Sequence, residues 1–401
     1  MTRRYHAAVA SGRDERRHRS ASWQRIPRFV VLPMVAAAVA VAACGSGEST
    51  TEVGLTPSTT RVTTDEPATV PTFQPDARTG AAAVGATTIP VPSGAPGQRL
   101  GIGPCPMFPP DHSFNTPITG LPVSPDSDRV VAAIGPDTAL RHGFSSTVFN
   151  GTRRGYPLNL VDPTTSTPTD FMVSAAYLYF SDGADVPMPE APRFEGWPGR
   201  EWDKHLLLVD TSTCRTRELL NVQPPGENDT ARPFNKWYAD AIVTFDLRSN
   251  DRPEGSANAA GVSMLAGLVR YDEVASGRVR HAIGLTMPEI RGDGPIWPAH
   301  RSDGRSANPD APPMGAWFRL RDDVDISTLG PQARVVAEAL REYGGVLVDT
   351  GPAITLTGEP DVRWNDADLN GLGSLTAADL ELVDPTSLIV DPATNQARVR
   401  G

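Results

Sequence analysis

The chain has 401 residues, with 37 Lys and Arg against 47 Asp and Glu and a formal net charge of −10. It shows no basic stripe and no aromatic-basic interleaving, which argues against nucleic acid as a partner. Its three cysteines and seven histidines lack CxxC or HxxxH spacing, so no metal and no cofactor is expected.

Residues 1–28 are rich in Arg and His, and "FVVLPMVAAAVAVAAC" (Phe29 to Cys44) is an apolar run ending in small residues. A basic segment followed by an apolar run too short to span a bilayer comfortably reads as a signal peptide over 1–43. Val41-Ala42-Ala43-Cys44 resembles the bacterial lipobox, which implies lipidation at Cys44. The chain would then be exported and anchored by lipid to the outer face of the cytoplasmic membrane. The plain alternative is an ordinary secretory signal. Residues 44–100 are Thr, Ser, Pro, Gly and Ala with scattered acids, a composition that cannot bury a core and is expected to form a disordered tether.

From 101 to 401 one β-rich domain is expected. Apolar runs bounded by Gly, Pro, Asp or Asn read as strands over 170–180, 204–210, 216–222, 241–247, 280–286, 316–321, 344–351 and 353–358. "LLLV" (Leu206 to Val209) is apolar throughout, as in a strand buried on both faces. Helices are expected over 125–135, 330–345 and 374–383. In the second, Val335, Val336, Ala339, Leu340 and Tyr343 recur at helical spacing, Pro331 fits the first turn and Gly344 the stop. The fold expected is mainly β, an antiparallel two-sheet sandwich of jelly-roll kind with two or three peripheral helices; a closed barrel is the rival. Cys105 and Cys214, left over in an exported chain, are expected to form a disulfide, the alternative being two free buried thiols.

Three groups of residues offer chemistry. "EWDKHLLLVD" places Trp202, Asp203 and His205 at a strand mouth. "LVRYDEVASGRVRHAIGLT" reads as a hairpin turning at Ser276-Gly277, which would let Tyr271 and His281 approach across strands beside Glu273 and Arg280. Arg with Tyr or His suits a polysaccharide lyase, and the carboxylates Asp203, Asp246 and Glu273 suit a glycoside hydrolase. None of His112, His142, His205, His281 and His300 pair in sequence; His205 and His281 form the best imidazole pair, because both fall in expected strands and could meet on one face. Arg252 and Arg280 are candidates for binding acidic or hydroxylated groups, and Trp202 and Trp297 for stacking on sugar rings. In "DADLNG", Asp366, Asp368, Asn370 and Gly371 match the start of a calcium loop, but Ala377 occupies its twelfth position and the match fails. No GxSxG elbow, P-loop, dinucleotide fingerprint or HExxH motif occurs.

The phrases "FNTPITGLPV", "DKHLLLVDTSTC", "FDLRSN", "LVRYDEVASGRVRHAIGLT", "WPAH", "PPMGAWFRL" and "RWND" resemble those of a group of exported bacterial proteins of unassigned biochemistry, over nearly all of 105–385. The resemblance implies a single exported domain in the company of carbohydrate-binding or Ig-like modules, and so leans toward polysaccharide. Asn258 departs from it, standing where an Asp is expected. The expected function is a surface-anchored carbohydrate-active enzyme, a glycoside hydrolase or polysaccharide lyase. The alternative is a non-catalytic envelope lipoprotein that binds glycan or protein.

Overall fold

The computed structural model describes residues 98–399, apart from 163–165, 179–180, 184, 200–201 and 227–234. The signal peptide, Cys44 and nearly all of the expected tether lie outside the described residues.

The four-stranded sheet explains its own continuous apolar runs. Leu206–Asp210 pairs antiparallel with Arg215–Leu220, which pairs antiparallel with Ala241–Asp246; Leu158–Val161 adds a parallel edge. Side chains alternate between the faces of a strand. Leu207, Val209, Val243 and Phe245 therefore join the larger core, while Leu206, Leu208, Leu219 and Ile242 join a second one. The second core also takes Phe171, Val186, Met188 and Ala239 from a three-stranded sheet in which Thr167–Val173 lies between Asp185–Met188 and Trp237–Ala239. At the hairpin turn, the Asp210 carboxylate accepts from the backbone N–H groups of Ser212 and Thr213 and from both hydroxyls. Cys214 follows in the left-handed region (φ +52°) and is bonded to Cys105 as expected, with Cα atoms 5.2 Å apart.

The six-stranded sheet runs in the order Arg141–His142, Thr355–Leu356, Ile283–Met287, Gly345–Thr350, Trp317–Leu320 and Leu380–Val383. The helix Pro331–Glu342 buries Ala333, Val336, Ala337, Ala339 and Leu340. Gly330 has no side chain to cap it. Asp368 does so from a distant segment, accepting from the N–H groups of Gln332 and Ala333 where carboxylates suit the helix dipole. The chain leaves the helix through Gly344 at φ +75°.

The mainly β expectation holds, and the helices over 127–134 and 331–342 lie where they were expected. Four corrections follow. The sheets are not all antiparallel, because Ile283–Met287 with Gly345–Thr350 is one of four parallel strand pairings among the described residues. Residues Tyr271–Ala275 form a helix rather than half of a hairpin, with Glu273 closing a capping box onto the Arg270 N–H. The expected helix over 374–383 is a turn at Ala377–Asp379 followed by the strand Leu380–Val383. Finally, residues 98–100, inside the expected tether, belong to the described fold: the Arg99 side chain is only 3% exposed.

Candidate active site

Glu273 and His281 belong to a buried ionic knot. Glu273 Oε1 lies 3.0 Å from Arg99 Nε and 2.9 Å from Arg270 Nη2, and Oε2 lies 3.2 Å from His281 Nε2. Burial favours the neutral acid, but Arg270, His281 and Arg99 overcome it and hold the Glu273 carboxyl well below its usual range. Burial and the Arg99 charge press the His281 pKa down, although its other nitrogen also faces an acceptor, the Ala282 carbonyl; the imidazole–carboxylate contact is accordingly long. Arg99 and Arg270 also donate to the Ala266, Leu265, Leu100 and Gly101 carbonyls, which ties residues 99–101 to residues 265–270. Such groups have no free valence for a substrate.

Tyr271 does not face His281. Its ring meets Trp364 edge-on, with centroids 5.1 Å apart, and carries the Arg363 guanidinium 4.0 Å from its centre. Asp246 accepts from Arg248 in a turn and lies 4.0 Å from Arg215. Trp297 is buried, donates to the Thr394 carbonyl and stacks on Trp317, so no face is free for a sugar. Trp202 covers Gly196, where a Cβ would lie 2.7 Å from its ring. Asp203 is exposed and Arg280 half-exposed. The calcium-like acids are used internally: Asp366 accepts from the backbone of Ser146 and Thr147, and Asp368 caps the helix as described.

Titratable groups also converge around His205. Its Nδ1 lies 2.7 Å from Glu195 Oε2, and its Nε2 lies 2.9 Å from the Ala257 carbonyl. Both partners are acceptors, an arrangement that suits a proton on each nitrogen. Burial opposes that charge, but the Glu195 charge and hydrogen bond, with Asp349 and Asp203 behind them, raise its pKa to about 9. Tyr156 meets the ring edge-on at 5.2 Å.

Beside this group is a cavity of about 10 Å³, room for about one water. Tyr156, Asn258, Ser263, Asp349 and Thr357 give it polar walls, and Met264 and Val348 apolar ones. Its floor includes Gly267 and Gly284, where the backbones approach closely: a Cβ on Gly267 would lie 2.7 Å from the Gly284 nitrogen. Asp349 stands at the end of the strand Gly345–Thr350. Burial raises its pKa to about 6 against the pull of His205 and of the Thr350 N–H. Tyr156 is held protonated, its pKa pushed well above the usual value by burial and by Glu195, Asp349 and Asp203. Glu218, on the strand Arg215–Leu220 of the four-stranded sheet, accepts from the Ser263 hydroxyl at 2.5 Å and from the Met264 and Leu265 N–H groups, while burial lifts its pKa to about 7.

Sequence reasoning found His205 but missed Tyr156, Glu195, Glu218 and Asp349, and it paired His205 with the wrong partner. Among the described residues His205 and His281 share no partner. Asn258, singled out as a departure, does line this cavity; its amide bridges the Val262 carbonyl and the Gly261 N–H. No family model, curated protein or solved structure matches the chain.

Proposed function

We propose that this is an exported, lipid-anchored enzyme acting on a polysaccharide by hydrolysis or elimination. In this reading Asp349 is the proton acceptor and Tyr156 the proton donor. The observation that carries it is their meeting at one concave polar site: a carboxylate ionised near neutral pH and a phenol that keeps its proton. The buried imidazolium of His205 stabilises the Asp349 anion behind them. A space for one water beside a carboxylate base also suits hydrolysis with inversion.

The same cavity favours a second reading. It admits a water but not a sugar ring, as expected of a non-catalytic envelope lipoprotein that holds glycan or protein on an open surface. The two readings separate when the full-length chain, in detergent, is incubated with neutral and acidic polysaccharides. Reducing ends alone mean hydrolysis. Reducing ends with the ultraviolet absorbance of unsaturated uronates mean elimination. Retention on a polysaccharide without either signal means binding.

A further inference from the structure

One wall of the cavity beside Asp349 is the segment 257–267, which supplies Asn258, Ser263, Met264 and Gly267. This segment is tied twice to the four-stranded sheet and its flank. At its start the Ala257 carbonyl lies 2.9 Å from His205 Nε2. Further along, Glu218 takes three donors from consecutive residues. Its Oε1 accepts from the Ser263 hydroxyl at 2.5 Å and the Leu265 N–H at 3.2 Å, and its Oε2 from the Met264 N–H at 2.8 Å. Between the two ties the segment reaches the six-stranded sheet. The Ala259 N–H meets Asp349 Oδ2 at 3.4 Å, and the Ala260 N–H donates to the Val348 carbonyl at 3.0 Å.

Glu218 is a costly residue to have in this place. Strand register sets it opposite Leu207 and Val243, both members of the larger core, and it has no exposed surface. Burial lifts its pKa to about 7 even against the three hydrogen bonds and the charge of His205, the titratable group that acts on it. An apolar side chain, like those of its two cross-strand partners, would fill the position but could hold none of the three donors. An ionised carboxylate offers acceptor sites only, which is what a hydroxyl and two N–H groups need; once protonated it has fewer of them. The groups that face Asp349 itself are His205, Asp303 and Tyr156.

We propose that Glu218 is a positioning residue of the candidate site: it holds the segment 257–267 as the wall that shuts bulk water away from Asp349 and leaves room for one. The role deepens the enzyme reading, on which its catalytic consequence rests. Burial is the largest influence on Asp349 and raises its pKa from 3.8 to about 6. A loosened wall lets water in and lowers it again.

The test reads the carboxyl carbons of Asp349 and Glu218 in the full-length chain, 13C-labelled at Asp and Glu, in detergent. Each resonance is assigned by its loss in Asp349→Asn or Glu218→Gln. Glu218→Gln removes the charge and one acceptor, whereas Glu218→Asp keeps the charge and falls short of the three donors. In both variants the Asp349 pKa should fall by about one pH unit or more, toward 3.8. A cooperative thermal transition confirms that each variant is folded. In the unaltered chain, hydrogen-exchange protection of the Met264 and Leu265 N–H groups should drop as pH is lowered through the Glu218 titration, because the protonated carboxyl has fewer acceptor sites for them. An unchanged Asp349 pKa in both variants, a fall in Glu218→Gln alone, or protection that stays level through the titration overturns the positioning role. None of these readouts uses a glycan. Cleavage by a chain whose Asp349 pKa ignores Glu218 removes the positioning role and leaves the enzyme reading. A fallen Asp349 pKa in both variants of a chain that cleaves no glycan does the reverse.

Discussion

Glu195→Gln isolates the charge that keeps His205 protonated. In the folded chain the imidazolium is held to a pKa of about 9 against an ordinary 6.5. At 1.36 kcal/mol per pH unit, that difference is worth about 3 kcal/mol. The sign follows from linkage. The folded state binds the proton more tightly than the unfolded chain, so the contribution is fully present below pH 6.5. It is lost as pH rises through about 9. The ring is only 2% exposed, so solvent does little to screen it. Glu195→Gln removes the charge and leaves a side chain of the same shape. Burial then dominates, and the His205 pKa falls below its ordinary value. Urea unfolding at pH 6 and at pH 9.5 reads the effect. The variant should be less stable by about 3–4 kcal/mol at pH 6, and the gap should shrink to under about 1 kcal/mol at pH 9.5. A gap that is the same at both pH values refutes the imidazolium assignment.

Three further outcomes follow from the same geometry. Replacing Cys105 and Cys214 by Ser opens a loop of sequence separation 109, and the loop-entropy model gives a loss of about 4–5 kcal/mol, measurable as a lower denaturant midpoint. Glu273→Gln leaves Arg99 and Arg270 buried without their counter-charge, and should cost about 3–5 kcal/mol by the same measurement. Activity should fall below about pH 6, as Asp349 takes up a proton, and a pH–rate profile with its acidic limb elsewhere would reassign the base.

How much the sequence disclosed depended on how local each signal was. The helix Pro331–Glu342 was legible because its apolar spacing, Pro331 and Gly344 all lie within one segment. The hairpin of Leu206–Asp210 and Arg215–Leu220 was legible from its apolar runs and the Asp210 turn. "YDEVASG" was misread as a strand-turn because its helical signal is a capping box using an Arg at the N-cap, an uncommon choice. The strand Leu380–Val383 falls at the end of the helix expected over 374–383. The ionic knot brings Arg99 to Glu273 across 174 residues, and no spacing rule predicts such a pairing. Asp349 did carry a usable signal: it is an acid near the end of an expected strand, as Asp203 and Asp246 each lie near an expected strand end or turn. Glu195 and Tyr156 carried none, because only the fold brings them to His205.

In the proposed function Asp349, backed by His205 and lining one cavity with Tyr156, accepts the proton. The most direct measurement compares the full-length chain with Asp349→Asn on the polysaccharide panel, with folding of both confirmed by their unfolding transitions. The account predicts cleavage of at least one polysaccharide and a loss of about 10²–10⁴ in rate in the variant, the usual contribution of a positioned acid or base. Cleavage at the unaltered rate by Asp349→Asn, or no cleavage of any polysaccharide by the folded chain, contradicts it.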